Sequence, residues 1–161
     1  MSRSKLLRAE EANKLSLIVK LLIYSFMYGL FVINIIDLTI IKFWGYNIFL
    51  IILYFIPFLI ICPIFGFNDW ELFIGLGLLS SLVNDLSYAL IGNIFFHMHY
   101  NLLDWIIFQL GFYGSDGKYC WVFDGGFFKF QITSIIMGLS IYVRAVIVYL
   151  LLYKWYKKKE T

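Results

Sequence analysis

The chain has 161 residues, of which 62% are hydrophobic, 21% aromatic and only 14% charged. Soluble domains carry about 25% charged residues, so this chain lacks the polar surface that a soluble core requires. The formal net charge of +3 comes mainly from basic residues at the two ends of the chain. The composition excludes an ordinary soluble protein and predicts an integral membrane protein, with residues 1–161 forming one domain.

Four apolar segments are long enough to cross the hydrocarbon layer, which takes about 20 residues of helix. They cover residues 15–36, 46–65, 71–96 and 132–153. Pro57 should kink the second segment, because proline removes a backbone donor and clashes with the preceding turn. The pattern predicts an all-α membrane protein with four transmembrane helices.

The segment at residues 97–131 is the predicted outer loop. Its apolar stretch at 102–112 is too short to cross a membrane, and Asp104 and Gln109 argue against deep burial. We therefore predict a short interfacial or re-entrant helix there, on the extracytoplasmic side. The glycine-rich continuation GSDGKYCWVFDGG is typical of a water-exposed loop.

The basic ends of the chain predict its orientation. With four spans both termini lie on the same side, and an excess of lysine and arginine marks the cytoplasmic side. Flanking apolar spans, such clusters indicate contact with anionic lipid headgroups and not with nucleic acid. We expect a cell-membrane protein with cytoplasmic termini and with membrane lipids as its partners.

Two charged residues fall inside predicted spans. Asp85 lies deep in the third, where an isolated ionised carboxylate is costly and needs a partner, a proton or water. Arg144, in the fourth, reaches a similar depth and is the expected partner. The pair is compatible with a purely structural role and with a working site in which the arginine binds an anionic headgroup.

The third segment also carries polar residues at helical spacing. One face of a helix would hold Ser81, Asp85, Tyr88, Gly92 and, provided that the helix continues, His99. Asn84 lies on the neighbouring stripe. A polar stripe inside a bilayer must face protein or water, so we expect Asn84 and Tyr88 to contact substrate.

The tripeptide HMH places two histidines beside this stripe. On a regular helix, His97 and His99 diverge by about 200°, whereas in an extended segment they share a face. In the second case they are candidate ligands for a divalent metal such as zinc, with Asp104, Asp116 or Asp124 as a third ligand. The alternative is two interfacial histidines beside aromatic neighbours, without a metal.

The stretch FIGLGLLSSLVNDLSYALIGNIF, at residues 73–95, is loosely similar to helices of small polytopic membrane proteins. These include MreD-like cell-shape factors and substrate-binding transport subunits. The resemblance rests on glycines and an acidic residue and carries over no site. The chain also lacks the nucleophile elbow, the P-loop and the dinucleotide-binding glycine pattern.

Two classes of function remain. The first is a membrane-embedded enzyme that acts on a lipid or isoprenoid headgroup near the outer leaflet. Its expected catalytic residues are Asp85, His97, His99 and Asp104, and its expected substrate-binding residues are Arg144, Asn84 and Tyr88. The second is a non-enzymatic subunit of a larger membrane complex or transporter, whose polar face contacts a partner helix or a permeating ion.

Overall fold

A computed structural model describes residues 3–65, 67–112 and 121–160. The helices are α1 (Arg3–Met27), which continues through a π-helical turn (Tyr28–Ile33) into α2 (Asn34–Thr39), α3 (Tyr46–Phe65), α4 (Trp70–Phe96), α5 (Leu102–Gln109) and α6 (Ser134–Glu160). A short 3₁₀ turn (Phe67–Asp69) precedes α4, and two strands, β1 (Trp121–Asp124) and β2 (Lys129–Ile132), lie between α5 and α6.

Within these described ranges, four helical units are long and apolar enough to cross a membrane. They are Leu15–Thr39, Tyr46–Pro63, Trp70–Phe96 and Ser134–Lys158. Their number agrees with the sequence prediction, but the first and last boundaries differ from it. The first unit continues to Thr39 instead of ending at residue 36, so Asp37 belongs to the helix. The last unit covers Ser134–Lys158 instead of residues 132–153.

The third unit, α4, occupies the centre of the bundle. Of the residues in its apolar stretch, 61% are buried, against 17–28% in the corresponding stretches of the other three units. Small residues allow this packing, because a side chain at Gly75 would meet Leu152 of α6 and one at Gly77 would meet Phe55 of α3. The neighbouring helices therefore surround α4 and leave their own outer faces exposed.

The contact between α1 and α4 combines close backbone approach with hydrogen bonds. A Cβ atom added to Gly29 would clash with the carbonyl oxygen of Ser80. One turn earlier in α1, Ser25 donates to the carbonyl of Leu76 over 2.7 Å and lies 3.0 Å from the hydroxyl of Ser80. Small polar residues join helices in this way where a bilayer supplies no hydrophobic driving force between them.

An apolar cluster and a charged group lie at the end of the bundle that holds the start of α4 and the end of α6. Leu72 and Trp155 are buried in the cluster. Glu71 lies beside it with a side chain only 3% exposed, and forms ion pairs with Lys154 at 3.2 Å and Lys158 at 3.6 Å. The start of α4 and the end of α6 are thus fixed to each other.

The opposite end of the bundle carries α5 and an antiparallel hairpin. The sequence predicts a loop without strands there, but β1 and β2 pair with Trp121 opposite Ile132 and Asp124 opposite Lys129. Three phenylalanine rings stack on one face of the hairpin: Phe123, Phe128 and Phe130. Aromatic contacts between the strands stabilise this short hairpin. Its polar, glycine-rich sequence is typical of a loop, so the strands were not predicted.

Candidate functional site

A cavity of about 760 Å³ lies at the end of the bundle that carries the hairpin. Its walls come from the end of α2 and the segment after it, the first half of α3, the middle of α4, α5, the hairpin and the first half of α6. Much of the wall is aromatic or aliphatic. The polar and charged lining residues are Asp37, Lys42, Asn47, Ser81, Asn84, Asp85, Gln109, Asp124, Lys129, Ser140 and Arg144, with the phenols of Tyr46, Tyr54 and Tyr88.

Asp85 and Arg144 form the expected ion pair in this wall. The Nη2 atom of Arg144 donates to Oδ2 of Asp85 over 2.6 Å. Their side chains are 23% and 19% exposed, respectively, so both retain some surface towards the cavity. The pair links α4 to α6 and places a fixed dipole at the cavity surface.

Two further hydrogen bonds hold the guanidinium group. Nη1 of Arg144 donates to the hydroxyl of Ser81 over 3.0 Å, and Nε donates to the carbonyl of Ser140 over 3.2 Å. A guanidinium group has five N–H donors in a fixed plane, so each terminal nitrogen carries a second N–H that a ligand oxygen can accept from. The arginine is oriented before any ligand arrives.

Behind the pair, two amides bridge α2 and α4. Nδ2 of Asn84 donates to Oδ1 of Asn34 over 3.0 Å, and the hydroxyl of Tyr54 donates to Oδ1 of Asn84 over 3.2 Å. Nδ2 of Asn34 donates to the hydroxyl of Ser87 over 2.7 Å. Both amides are fully buried and hydrogen-bonded. Asn84 therefore belongs to the cavity wall but has its polar atoms engaged within the protein.

A second carboxylate, that of Asp37, lines the cavity from the end of α2. The hydroxyl of Tyr46 donates to its Oδ1 over 2.5 Å. Asp37 and Asp85 line the same cavity. Asp37 was not predicted as a site residue because the first span was expected to end at residue 36, whereas the helix continues to Thr39. An aspartate within the last turn of an apolar helix was the signal that could have identified it.

Aromatic side chains from α4 and α5 form part of the wall beside Asp85. The rings of Tyr88 and Trp105 stack at a centroid distance of 5.3 Å, and Tyr100 lies against both. The indole Nε1 of Trp105 donates to the carbonyl oxygen of Asp85 over 2.8 Å. The expected contribution of Tyr88 to the site is thus to an aromatic surface, and α5 supplies a partner ring that sequence reasoning did not include.

Gln109, at the end of α5, also lines the cavity. Its side chain is only 1% exposed, and its Oε1 atom has no hydrogen-bond donor among the described residues. A buried acceptor without a donor is costly, and the large majority of buried polar atoms in native proteins are satisfied. This amide oxygen therefore indicates a place where a bound molecule or water would supply a donor.

The hairpin closes one side of the cavity and is fixed to α3. Asn47 accepts the backbone N–H of Asp124 over 2.7 Å, and Asp124 forms an ion pair with Lys129 at 2.9 Å. The carboxylate also accepts the N–H of Gly126, which has the left-handed φ of 83° that the turn requires. The bond from Lys129, and secondarily that from Gly126, lowers the pKa of Asp124 below its usual value.

The remaining predicted site residues do not line the cavity. His97 and His99 are exposed, and α4 ends at Phe96, with left-handed φ values of 52° at His97 and 48° at His99. Asn93 fixes this chain reversal by bonding both the N–H and the carbonyl of Tyr100 over 2.7 Å. The polar face expected to run from Ser81 to His99 therefore ends within the helix, before the histidines.

Asp104 lies in the first turn of α5 and outside the cavity lining. Asn101 caps this helix by accepting the N–H groups of Leu103 and Asp104 over 3.1 and 3.3 Å. A carboxylate in the first turn also favours the positive end of the helix dipole. These contacts give Asp104 a local role in α5, apart from the Asp85–Arg144 pair.

The metal hypothesis receives no support from the geometry. Over the described ranges, no group of three His, Cys, Asp or Glu side chains is arranged to hold a metal ion. Asp124, a candidate third ligand, is held by Lys129 at the hairpin. Asp116, another candidate, lies outside the described residues. A zinc site at His97 and His99 stays a prediction from sequence.

Comparison with protein-family models, with characterised proteins and with solved structures finds no significant match to this chain. The candidate site is thus defined by its own geometry. It joins Asp85, Arg144, Asn84 and Tyr88 of the predicted set with Asp37, Gln109 and Trp105, and it leaves out the two histidines and Asp104.

Proposed function

We propose that this membrane protein binds an amphiphilic molecule of the lipid or isoprenoid type, with the polar head in the cavity near the outer leaflet. The observation that supports this most directly is the oriented Arg144, held by Asp85 and Ser81 in the wall of a large, mostly apolar cavity. Ligand pockets usually have about 300–1,000 Å³ and combine apolar walls with few convergent polar groups. The 760 Å³ of this cavity suits a headgroup with the first part of its chain.

The chemistry of the cavity determines which end of the amphiphile would enter it. An acidic oxygen of the head, from a phosphate or carboxylate, would accept the remaining N–H groups of Arg144 in a planar arrangement. The apolar tail would leave the cavity between helices towards the bilayer. The outward orientation follows from the charge asymmetry of the termini and is part of the proposal.

Catalysis is left out of this proposal. The expected catalytic residues His97, His99 and Asp104 lie away from the cavity lining, and Asp85 is engaged by Arg144. A non-enzymatic subunit of a larger membrane complex or transporter is the alternative from sequence. A binding cavity is compatible with that alternative, because a substrate-binding subunit needs a site of this kind.

The test uses a variant that fills the cavity. Ser140→Trp places a large ring at a position that lines it, whereas Leu139→Trp places the same ring on a side chain that is 63% exposed and outside the lining. Both proteins are purified in dodecyl maltoside, a neutral detergent, and examined by native mass spectrometry for retained amphiphiles. The wild-type protein and Leu139→Trp should retain the same bound species, and Ser140→Trp should lose it.

Two results would overturn the proposed function. One is equal retention in Ser140→Trp and Leu139→Trp, which would place the bound molecules on the outer surface of the bundle. The other is the absence of any retained species together with the absence of saturable binding when amphiphiles with acidic heads are added back. Thermal unfolding of both tryptophan variants checks that each one is folded.

A further inference from the structure

We infer that the head bound in the cavity is zwitterionic and that its cationic part is a protonated amine held by Asp37. This inference rests on the proposed function and specifies the chemical class of the ligand. It comes from the charge balance of the cavity and from two acceptor groups, on Asp37 and Gln109, for which the described residues supply no donor at one oxygen.

The charged side chains that line the cavity balance one another. Among the described residues, three are acidic and three are basic: Asp37, Asp85, Asp124, Lys42, Lys129 and Arg144. A head with a net charge would add an uncompensated charge to a site of low dielectric, which costs free energy. The balanced lining therefore favours a head whose own charges cancel.

Asp37 is the carboxylate that is open to a cationic group. Asp85 is paired with Arg144 and Asp124 with Lys129, at 2.6 and 2.9 Å. For Asp37, the described residues provide the hydroxyl of Tyr46 at Oδ1 and a longer-range attraction from Lys42, but no direct ion-pair contact. Its second oxygen can accept a hydrogen bond from a ligand without displacing an existing one.

Gln109 supplies an independent indication of a donor-rich ligand. Its amide is 1% exposed in the same cavity, and Oε1 has no donor among the described residues. A primary ammonium group has three N–H donors and no acceptor, whereas an ionised phosphate or carboxylate has acceptors only. An amine therefore matches the open oxygens of Asp37 and Gln109, and an anionic group alone does not.

The aromatic wall favours the same group. Tyr46, Tyr54, Tyr88 and Trp105 line the cavity, and the faces of such rings attract cations, more strongly where water is excluded. The anionic part of the head has its own partner in Arg144, which is paired with Asp85. Asp37 and Arg144 both line this cavity, so the two binding groups belong to one site.

The experiment compares heads on a constant tail. Full-length protein in dodecyl maltoside is titrated with dodecyl phosphate, dodecylphosphoethanolamine, dodecylphosphocholine and dodecylammonium, and binding is measured by microscale thermophoresis. The wild-type protein should bind the phosphoethanolamine head at least about tenfold more tightly than the phosphate or ammonium head, a difference of about 1.4 kcal/mol. It should also prefer phosphoethanolamine to phosphocholine, because only the former carries N–H donors for Gln109.

The variants separate the amine site from the rest of the cavity. Asp37→Asn should lower affinity for the phosphoethanolamine head about tenfold while affinity for dodecyl phosphate does not fall. Asp37→Glu should keep the preference. Gln109→Leu should reduce the preference of phosphoethanolamine over phosphocholine. Asp104→Asn, a matched acidic position in α5 that does not line the cavity, should change neither affinity.

The outcomes distinguish the two proposals. If no head binds saturably, the proposed function fails and this inference fails with it. If heads bind and Ser140→Trp abolishes binding, but dodecyl phosphate is preferred, only the zwitterionic inference is overturned. Equal losses for phosphate and phosphoethanolamine in Asp37→Asn would also overturn it, since they would assign Asp37 a structural role. Thermal unfolding without ligand identifies any variant that does not fold, and Asp37→Glu and Gln109→Leu then carry the test.

Discussion

Asp85 of α4 and Arg144 of α6 form an ion pair of 2.6 Å inside the bundle, 59 residues apart in the chain. Their side chains are about one-fifth exposed, which places them between a sealed pair and a surface pair. Each charge depends on the other for stability, yet each retains surface that a ligand can contact. The same pair thus packs two helices together and forms one wall of the cavity.

Breaking this pair should destabilise the protein in a coupled way. We expect Asp85→Asn and Arg144→Gln each to lower the free energy of unfolding by about 2 kcal/mol, less than the ~3–5 kcal/mol of a fully buried pair. Each single variant leaves one charge without its partner, so the double variant should lose at least about 1 kcal/mol less than the sum. Unfolding of the four proteins in neutral detergent measures this coupling.

A matched control for the cycle is the exposed pair at the hairpin. Lys129 is 60% and Asp124 22% exposed in their ion pair, so Asp124→Asn and Lys129→Gln should show a coupling smaller than that of Asp85 and Arg144. Additive losses at Asp85 and Arg144 would contradict the prediction and show that the two residues stabilise the bundle independently.

The buried amides should behave as a unit as well. In the buried hydrogen bond of 3.0 Å between them, Asn34→Leu removes the acceptor of Asn84 Nδ2, and Asn84→Leu removes the donor to Asn34 Oδ1. We expect each single variant to cost about 1–2 kcal/mol, and the double variant to cost less than the sum because no unpaired amide remains. Equilibrium unfolding tests this, and two independent losses would contradict it.

Much of the architecture could be predicted from the sequence because crossing a membrane demands long apolar helices. That requirement identified the four spans, and the cost of isolated charges in a bilayer identified the Asp85–Arg144 contact. The hairpin was missed because its strands have four residues each and lie in a polar, glycine-rich segment. Its pairing depends on cross-strand aromatic contacts that no local pattern reveals.

The cavity lining includes only some of the residues predicted for the site, for a related reason. The helical spacing of Asp85 and Tyr88 is a local property, so both were placed in the site. The extension to His99 assumed that α4 continues, whereas the bonds of Asn93 to Tyr100 stabilise a reversal after Phe96. Asp37 and Gln109 join the cavity only through the packing of distant helices, which sequence spacing does not encode.

The attachment of the hairpin should weaken in acid. Because its bonds to Lys129 and Gly126 lower the pKa of Asp124 in the folded protein, the carboxylate stabilises the hairpin fully above its usual pKa of 3.8. That stabilisation is lost as the pH falls through the lower folded-state pKa. The protection factor of the Gly126 amide in hydrogen exchange should therefore fall over that range in the wild-type protein.

Asp124→Asn serves as the comparison for this acid effect. The amide oxygen can still accept the N–H of Gly126 but cannot titrate, so protection should start lower and should not depend on pH in that window. An acid-induced loss of protection that is equally large in Asp124→Asn would assign the effect to another group.

The two ends of the bundle should lie on opposite sides of the membrane. Asn68 lies in the 3₁₀ turn before α4, where Lys158 donates to its carbonyl oxygen, and Phe127 is 92% exposed at the tip of the hairpin. In a chain with Cys62 and Cys120 replaced by alanine, single cysteines are introduced as Asn68→Cys and Phe127→Cys. A membrane-impermeant maleimide should label Phe127→Cys in intact cells and Asn68→Cys only after permeabilisation, as the basic termini predict.

Labelling of Asn68→Cys alone in intact cells would invert the orientation and place the cavity at the cytoplasmic side. Labelling of both positions from one side of the membrane would contradict the prediction that the four helices of the bundle each cross it.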